Sequence, residues 1–117
     1  MLPSPEQLAG LQDIRERGIR VFIDDVIAPI ELGAVPADGV KLGRSLVARL
    51  TADKAALEDA KVIVRAATSL GRSVTAVGVE DERMFPLLAE IGCDAAQGFA
   101  IAAPLSNAAL SSWRERR

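Results

Sequence analysis

The chain switches repeatedly between helical and strand periodicity. Ser4-Pro5-Glu6-Gln7 has the chemistry of a helix start, with Ser4 as N-cap, Pro5 at the first helical position and Gln7 closing a capping box. Leu8, Leu11 and Ile14 then recur on one face, and Gly18 supplies the stop. Residues 19–25 continue as a mostly apolar run that reads as a buried strand, with Asp24 and Asp25 at its C-terminal end. Pro29, Gly33 and Pro36 break the connection that follows, leaving room for a short helical turn around Glu31-Leu32. Asp38-Gly39 is a turn pair, and Val40-Lys41-Leu42 reads as a short strand.

Residues 51–70 form the longest predicted helix, with Thr51 as N-cap and Asp53 at the positive end of the dipole. Leu57, Ala60, Val64, Ala67 and Leu70 recur at helical spacing, and Gly71 ends the run. Residues 73–79 predict a buried β-branched strand that finishes at Glu80. A helix over 81–91 follows, in which Pro86 either delays the start or removes a hydrogen bond, and Gly92 closes it. A short strand centres on Gln97-Gly98-Phe99. Pro104-Leu105-Ser106 then opens a last helix over 106–117, with Leu110 and Trp113 facing inward. One helix followed by four strand–helix units, the first nearly without its helix, predicts an α/β fold with a parallel sheet and right-handed crossovers.

Composition narrows the chemistry. A chain of 117 residues is read as one domain spanning 1–117, long enough to bury roughly two-thirds of its unfolded surface. It is 50% hydrophobic but only 3% aromatic, so the core has to be built from Ala, Val, Leu and Ile. A net charge of -2 gives no reason to expect a nucleic acid polymer or an anionic membrane. No apolar run approaches the roughly 20 residues of a membrane span, and the amino terminus shows no signal-peptide pattern. The single Cys93 rules out an internal disulfide and fits a reducing, cytoplasmic setting, where it reads as a small buried apolar residue. With no histidine, zinc chemistry and a His-dependent triad lose their usual parts. Catalysis, if any, falls to carboxylates, lysine and metal.

Asp24 and Asp25 stand where parallel α/β folds place their chemistry, at the C-terminal end of a strand. Adjacent carboxylates on apolar scaffolding repel each other and resist burial, so they call for a cation or an open rim. The blander arrangement has one capping the next segment and the other in water. Lys41 can pair with either aspartate, a neutralisation that needs no metal. Glu80 reads as a cap for the following helix, and Gln97-Gly98 as a tight backbone turn.

Four stretches together carry a family resemblance. Phe22-Ile23-Asp24-Asp25, Lys41-Leu42-Gly43-Arg44-Ser45, Ala76-Val77-Gly78-Val79-Glu80, and Gln97-Gly98-Phe99 with Pro104-Leu105 resemble, in order and spacing, motifs of the EAL domain family. The resemblance implies a TIM-type barrel and a phosphodiesterase that linearises cyclic di-GMP with two divalent metals. It covers nearly the whole chain but only about the C-terminal half of the family's domain. A half TIM-type barrel of about four parallel strands with flanking helices is therefore expected, whether the chain stands alone or is a piece of a longer protein.

The departures set the functional expectation. The Glu-Ala-Leu segment and further metal-binding Asn and Glu positions belong to the missing half. Val77 stands where the family has Glu, and Gly43 where it has Asp two residues after the motif lysine. Val26-Ile27-Ala28-Pro29 replaces the family's Phe-Gly-Thr-Gly after the paired aspartates. The resemblance leaves Asp24 and Asp25 as remnant metal ligands, Lys41 as a remnant of the water-activating cluster, and Gln97 and Pro104 as nucleotide-pocket remnants. Magnesium wants about six oxygen ligands, so two side chains leave it mostly hydrated. In-line cleavage needs two ions clamped roughly 3.5–4 Å apart. The expectation is a degenerate, non-catalytic module with no cofactor, Mg²⁺ or Mn²⁺ entering only where activity survives. The competing expectation is a phosphodiesterase or cyclic di-GMP receptor completed by another chain. Open strand edges and an uncovered face carrying Val21, Ile23, Val74 and Val79 would favour a homodimer or another signalling protein as partner. The alternative is a monomer in which helices 4–17 and 106–117 fold over the open side.

Overall fold

Short β-branched runs cannot bury their backbone polar groups alone, and here they satisfy them by pairing in chain order. The computed structural model of the chain describes residues 4–29, 32–98 and 101–106. Helix α1 (Pro5–Glu16) precedes strand β1 (Phe22–Val26), and a 3-10 turn at Leu32–Ala34 leads to β2 (Gly39–Leu42). Helices α2 (Arg44–Arg49) and α3 (Lys54–Ser69) connect β2 to β3 (Ser73–Val77). A 3-10 turn at Glu82–Met84 and helix α4 (Phe85–Ile91) lead to β4 (Ala95–Gly98), and β5 (Ile101–Ser106) follows. The sheet order is β1-β2-β3-β4-β5. β1 to β4 are parallel neighbours, and β5 runs antiparallel to β4. The described chain is thus an open sheet of four parallel strands alternating with helices, the architecture of a partial TIM-type barrel.

The core lies on one face only. Val40, Leu42, Val74, Ala76 and Ala96 are fully buried against Leu46 and Val47 of α2, Ala60, Ile63 and Ala67 of α3, and Leu88 of α4. Strand alternation sends Lys41, Thr75, Val77 and Gln97 to the opposite face, where all but Thr75 stay half-exposed. Val74 and Val79, expected to need cover from elsewhere, belong to this core, and Ile23 packs against it. No described helix is long and apolar enough to cross a membrane.

Two aspartates start the parallel ladder. The Asp38 carboxylate accepts the Val21 N–H at 2.8 Å, while the Asp38 N–H donates to the Val21 carbonyl at 2.7 Å. Asp94 does the same with Val74, at 2.8 and 2.7 Å. Each one closes a two-way clasp with a residue within one position of the start of the preceding strand, so Asp38-Gly39 is not a turn pair. Arg15 of α1 also reaches the Asp38 carboxylate, at 3.0 Å. Arg72 donates to the carbonyls of Leu32 and Val35, tying down the connection after β1.

Several local expectations change. The Ser4–Gln7 capping box forms, yet no residue of α1 is buried and Ile14 is 37% exposed. Helix α2 was not predicted, because six residues are too few for a helical period to show. The N-cap of α3 is Asp53, whose side chain accepts from the Ala55 and Ala56 N–H groups, and not Thr51. Pro86 delays its helix, leaving a 3-10 turn ahead of α4. β3 stops at Val77 because Gly78 turns the chain with φ 79°. Pro104-Leu105-Ser106 lies in β5, so the last helix does not begin there. Pairing with β4 overrides the local helix-start signal, and an edge strand tolerates a proline. Phe99, Leu110 and Trp113 lie outside the described residues.

The Val21 N–H and Arg15 together hold the Asp38 carboxyl below its ordinary value. A lowered folded value means stability that is present above the unfolded value, about 3.9, and is lost as pH falls through the folded one. Asp38→Ala should therefore melt earlier than the parent at neutral pH, with the gap closing below about pH 3.9. Thermal melts across that range check this, and a gap independent of pH would contradict it.

Candidate functional site

The half-exposed sheet face and the C-terminal ends of the strands carry the residues of interest. Phe22 pairs with Gly39 and Ile23 with Val40, so Phe22 and Asp24 share a face with Lys41. Asp24 and Asp25 are both exposed. The Asp24 carboxylate accepts the Asp25 N–H at 2.9 Å. Asp25 itself takes φ 52°, a left-handed conformation that Asp tolerates better than most side chains. The register shifts at this point, and Val26 turns back to pair with Leu42, where it is 4% exposed. The paired aspartates are therefore a bulge on the open edge of the sheet.

Lys41 does not neutralise them. Among the described residues it forms no ion pair with Asp24 or Asp25. Its ammonium lies 5.5 Å from the centroid of the Phe22 ring, and the Arg20 guanidinium lies 5.3 Å from the same ring. Phe22 is the neighbour that sequence reasoning missed. Its place two residues before Asp24, on the same face of the strand, was the available signal.

Backbone crowding shapes the rest of the rim. The Gly43 N–H donates to the Val26 carbonyl at 2.9 Å. A Cβ added at Gly43 would collide with the Asp25 carboxylate and lie 2.5 Å from the Ile27 Cγ2. Val77, half-exposed, pairs with Gln97. The Val79 N–H donates to the Gln97 carbonyl at 2.9 Å, and a Cβ at Gly98 would overlap the Val79 carbonyl. Gln97-Gly98 is thus strand under a crossing loop, not a tight turn. The Arg44 side chain lies over Gly78, its Cγ 2.6 Å from where a Cβ would stand. Glu80 is exposed, and the cap expected of it comes from Asp81, which accepts the Arg83 N–H at 2.9 Å. Pro104 lies in edge strand β5, beside Leu105, which pairs with Ala96. The topology therefore brings Asp24, Lys41, Val77 and Gln97 to one sheet face. It places the backbone of Pro104 at that sheet's far edge.

The EAL domain family profile matches residues 3–104. The chain belongs to the EAL domain family. It is 32% identical over 107 residues to the cyclic di-GMP phosphodiesterase NbdA of Pseudomonas aeruginosa, covering 88% of this chain and 14% of that protein. It superimposes on the EAL domain of Mycobacterium smegmatis DcpA with a TM-score of 0.76 and 27% identity, over 97% of this chain and 53% of that one. Klebsiella pneumoniae BlrP1, solved with manganese and cyclic di-GMP, is similar with a TM-score of 0.74 and 26% identity, over 88% of this chain and 27% of that one. The chain thus spans about a seventh of the curated relative and between a quarter and just over half of these solved chains.

The described residues do not by themselves make up a ligand set for a pair of metal ions. Among the described residues no group of three or more His, Cys, Asp or Glu is placed to hold a metal. Two exposed aspartates remain, one bonded to its neighbour's N–H and the other packed over Gly43. Val77 contributes only methyl groups to the half-exposed face. What this arrangement offers is a partly polar surface with cations beside an aromatic ring.

Cys93 takes no part. It is fully buried, and burial with the neighbouring Asp94 charge pushes its thiol up to about 12. The folded protein should resist Ellman's reagent at pH 8 and react once unfolded in urea. Rapid labelling of the folded chain would contradict this placement.

Proposed function

We propose that this chain is a non-catalytic, degenerate EAL module with a regulatory or protein-interaction role in bacterial signalling. The observation that supports it is the donor deficit on the half-exposed face and its rim, where Val77 and Gly43 respectively stand in for a Glu and an Asp of the family. Phosphodiester cleavage by two metals needs both ions held roughly 3.5–4 Å apart, and two adjacent exposed aspartates are too few ligands to do that. The partner in this reading is a second copy of the chain or another signalling protein, in a cytoplasmic setting.

A second reading, a phosphodiesterase or cyclic di-GMP receptor completed by another chain, draws on the relatives. NbdA is named a phosphodiesterase, and BlrP1 was solved with cyclic di-GMP. One experiment separates the two. Purified protein with Mg²⁺ or Mn²⁺ should not hydrolyse cyclic di-GMP above background. Turnover that disappears in Asp24→Asn overturns the non-catalytic reading. Calorimetric binding at low micromolar affinity without turnover would favour the receptor.

A further inference from the structure

On the helix side of the sheet, α3 and α4 lie against each other, and a groove of about 420 Å³ runs between them. Its apolar lining is Leu57 from α3 with Leu87 and Ile91 from α4. Each of the three is half-buried, packed against the core on one side and open to the groove on the other. The two walls differ in charge. Lys61 and Arg65 stand one turn apart on α3, and Glu90 stands on α4. Lys61 has a local partner in Glu58, 3.5 Å away. Arg65 and Glu90 are both exposed, and among the described residues neither forms an ion pair.

That order of charges selects the occupant. A basic partner would face Lys61 and Arg65, and an acidic one would face Glu90. A surface with both signs in reversed order satisfies both walls, and a copy of this chain turned about a two-fold axis presents one. An isologous contact uses the same patch twice and so requires it to be self-complementary. Cations on one wall, a carboxylate on the other and aliphatic side chains between them meet that requirement. Edge pairing, the other route to a dimer, is opposed by the charged bulge at Asp24-Asp25 on the β1 edge.

We propose that two copies of this chain associate about a two-fold axis through the α3–α4 groove. Arg65 of each copy pairs with Glu90 of the other, and Leu57, Leu87 and Ile91 meet their counterparts between them. The patch is small, which places the contact among weak, reversible interfaces, with a dissociation constant on the order of 10–100 μM. The proposal rests on the protein-interaction reading and names its partner. Oligomeric mass and turnover are measured independently, so a monomer without turnover would end the dimer and leave the non-catalytic reading standing.

Sedimentation velocity on the parent from about 5 to 500 μM, a range that brackets such an affinity, should show the mass rising from the 12.4 kDa of one chain toward twice that value. R65E and E90R each set like charges against each other at both symmetric contacts and should weaken the dimer about tenfold or more. Mixed in equal amounts, each variant supplies the sign the other has lost, and association should return to within about threefold of the parent. Recovery on mixing is a result that a purely intrachain role for Arg65 or Glu90 would not produce. Three results would overturn the proposal: a parent that stays monomeric throughout, a dimer indifferent to both substitutions, or variants that stay apart when mixed. Thermal melts check that each variant is folded. Should either charge reversal unfold the chain, R65Q and E90Q take their place, each expected to weaken the dimer, and an unweakened dimer overturns the proposal.

Discussion

Burial of alternate residues against the helices is the constraint from which the rest follows. Val40 and Leu42 of β2, Val74 and Ala76 of β3 and Ala96 of β4 are fully buried on the helix side. Side chains alternate faces with a period of two, so a one-residue slip would exchange the whole set for its mostly polar neighbours. With 3% aromatic residues the core has little bulk to spare, and small aliphatic side chains must interlock closely to fill it. Lys41, Val77 and Gln97 face the other way as a direct consequence. The candidate site is thus placed by the register of the core, and the clasps of Asp38 on Val21 and Asp94 on Val74 pin that register where the strands begin.

The rim of the site obeys a second constraint, close backbone approach. The loop at 78–80 crosses β4 so closely that the Val79 carbonyl occupies the place of a side chain at Gly98. At the opposite edge, the bulge at Asp24-Asp25 leans onto Gly43. The same bulge, with its two charges, blunts an otherwise open strand edge, which natural sheets do to discourage edge-to-edge pairing. Val74 and Val79 are already covered by the chain's own core, and they add no apolar surface for a partner to bury. A partner would meet instead a largely polar face on which Phe22 lies beside two cations.

Much of the fold was legible in the sequence. The capping box at Ser4, the glycine stops and the β-branched runs each reported a local preference that tertiary packing left intact. The family motifs ordered the strands and located Asp24, Asp25 and Lys41. What could not be read was decided by distant parts of the chain. Helix α2 is too short to display a period, and it is stabilised by burying Leu46 and Val47. Pro104-Leu105-Ser106 carries a helix-start signal but pairs with β4. Asp38 looked like a turn residue because its real partner, Val21, lies 17 positions earlier. The Lys41–aspartate pair was a sound electrostatic guess, displaced by a ring that the strand alternation could have revealed.

The central proposal is that this EAL chain by itself holds too few donors to assemble the family's pair of metal ions. Diffraction from crystals soaked in Mn²⁺, collected for anomalous signal, examines it most directly. The account predicts no pair of ordered peaks on the sheet face between Asp24 and Lys41. Two strong peaks roughly 3.5–4 Å apart there, ligated by Asp24 and Asp25, would contradict it.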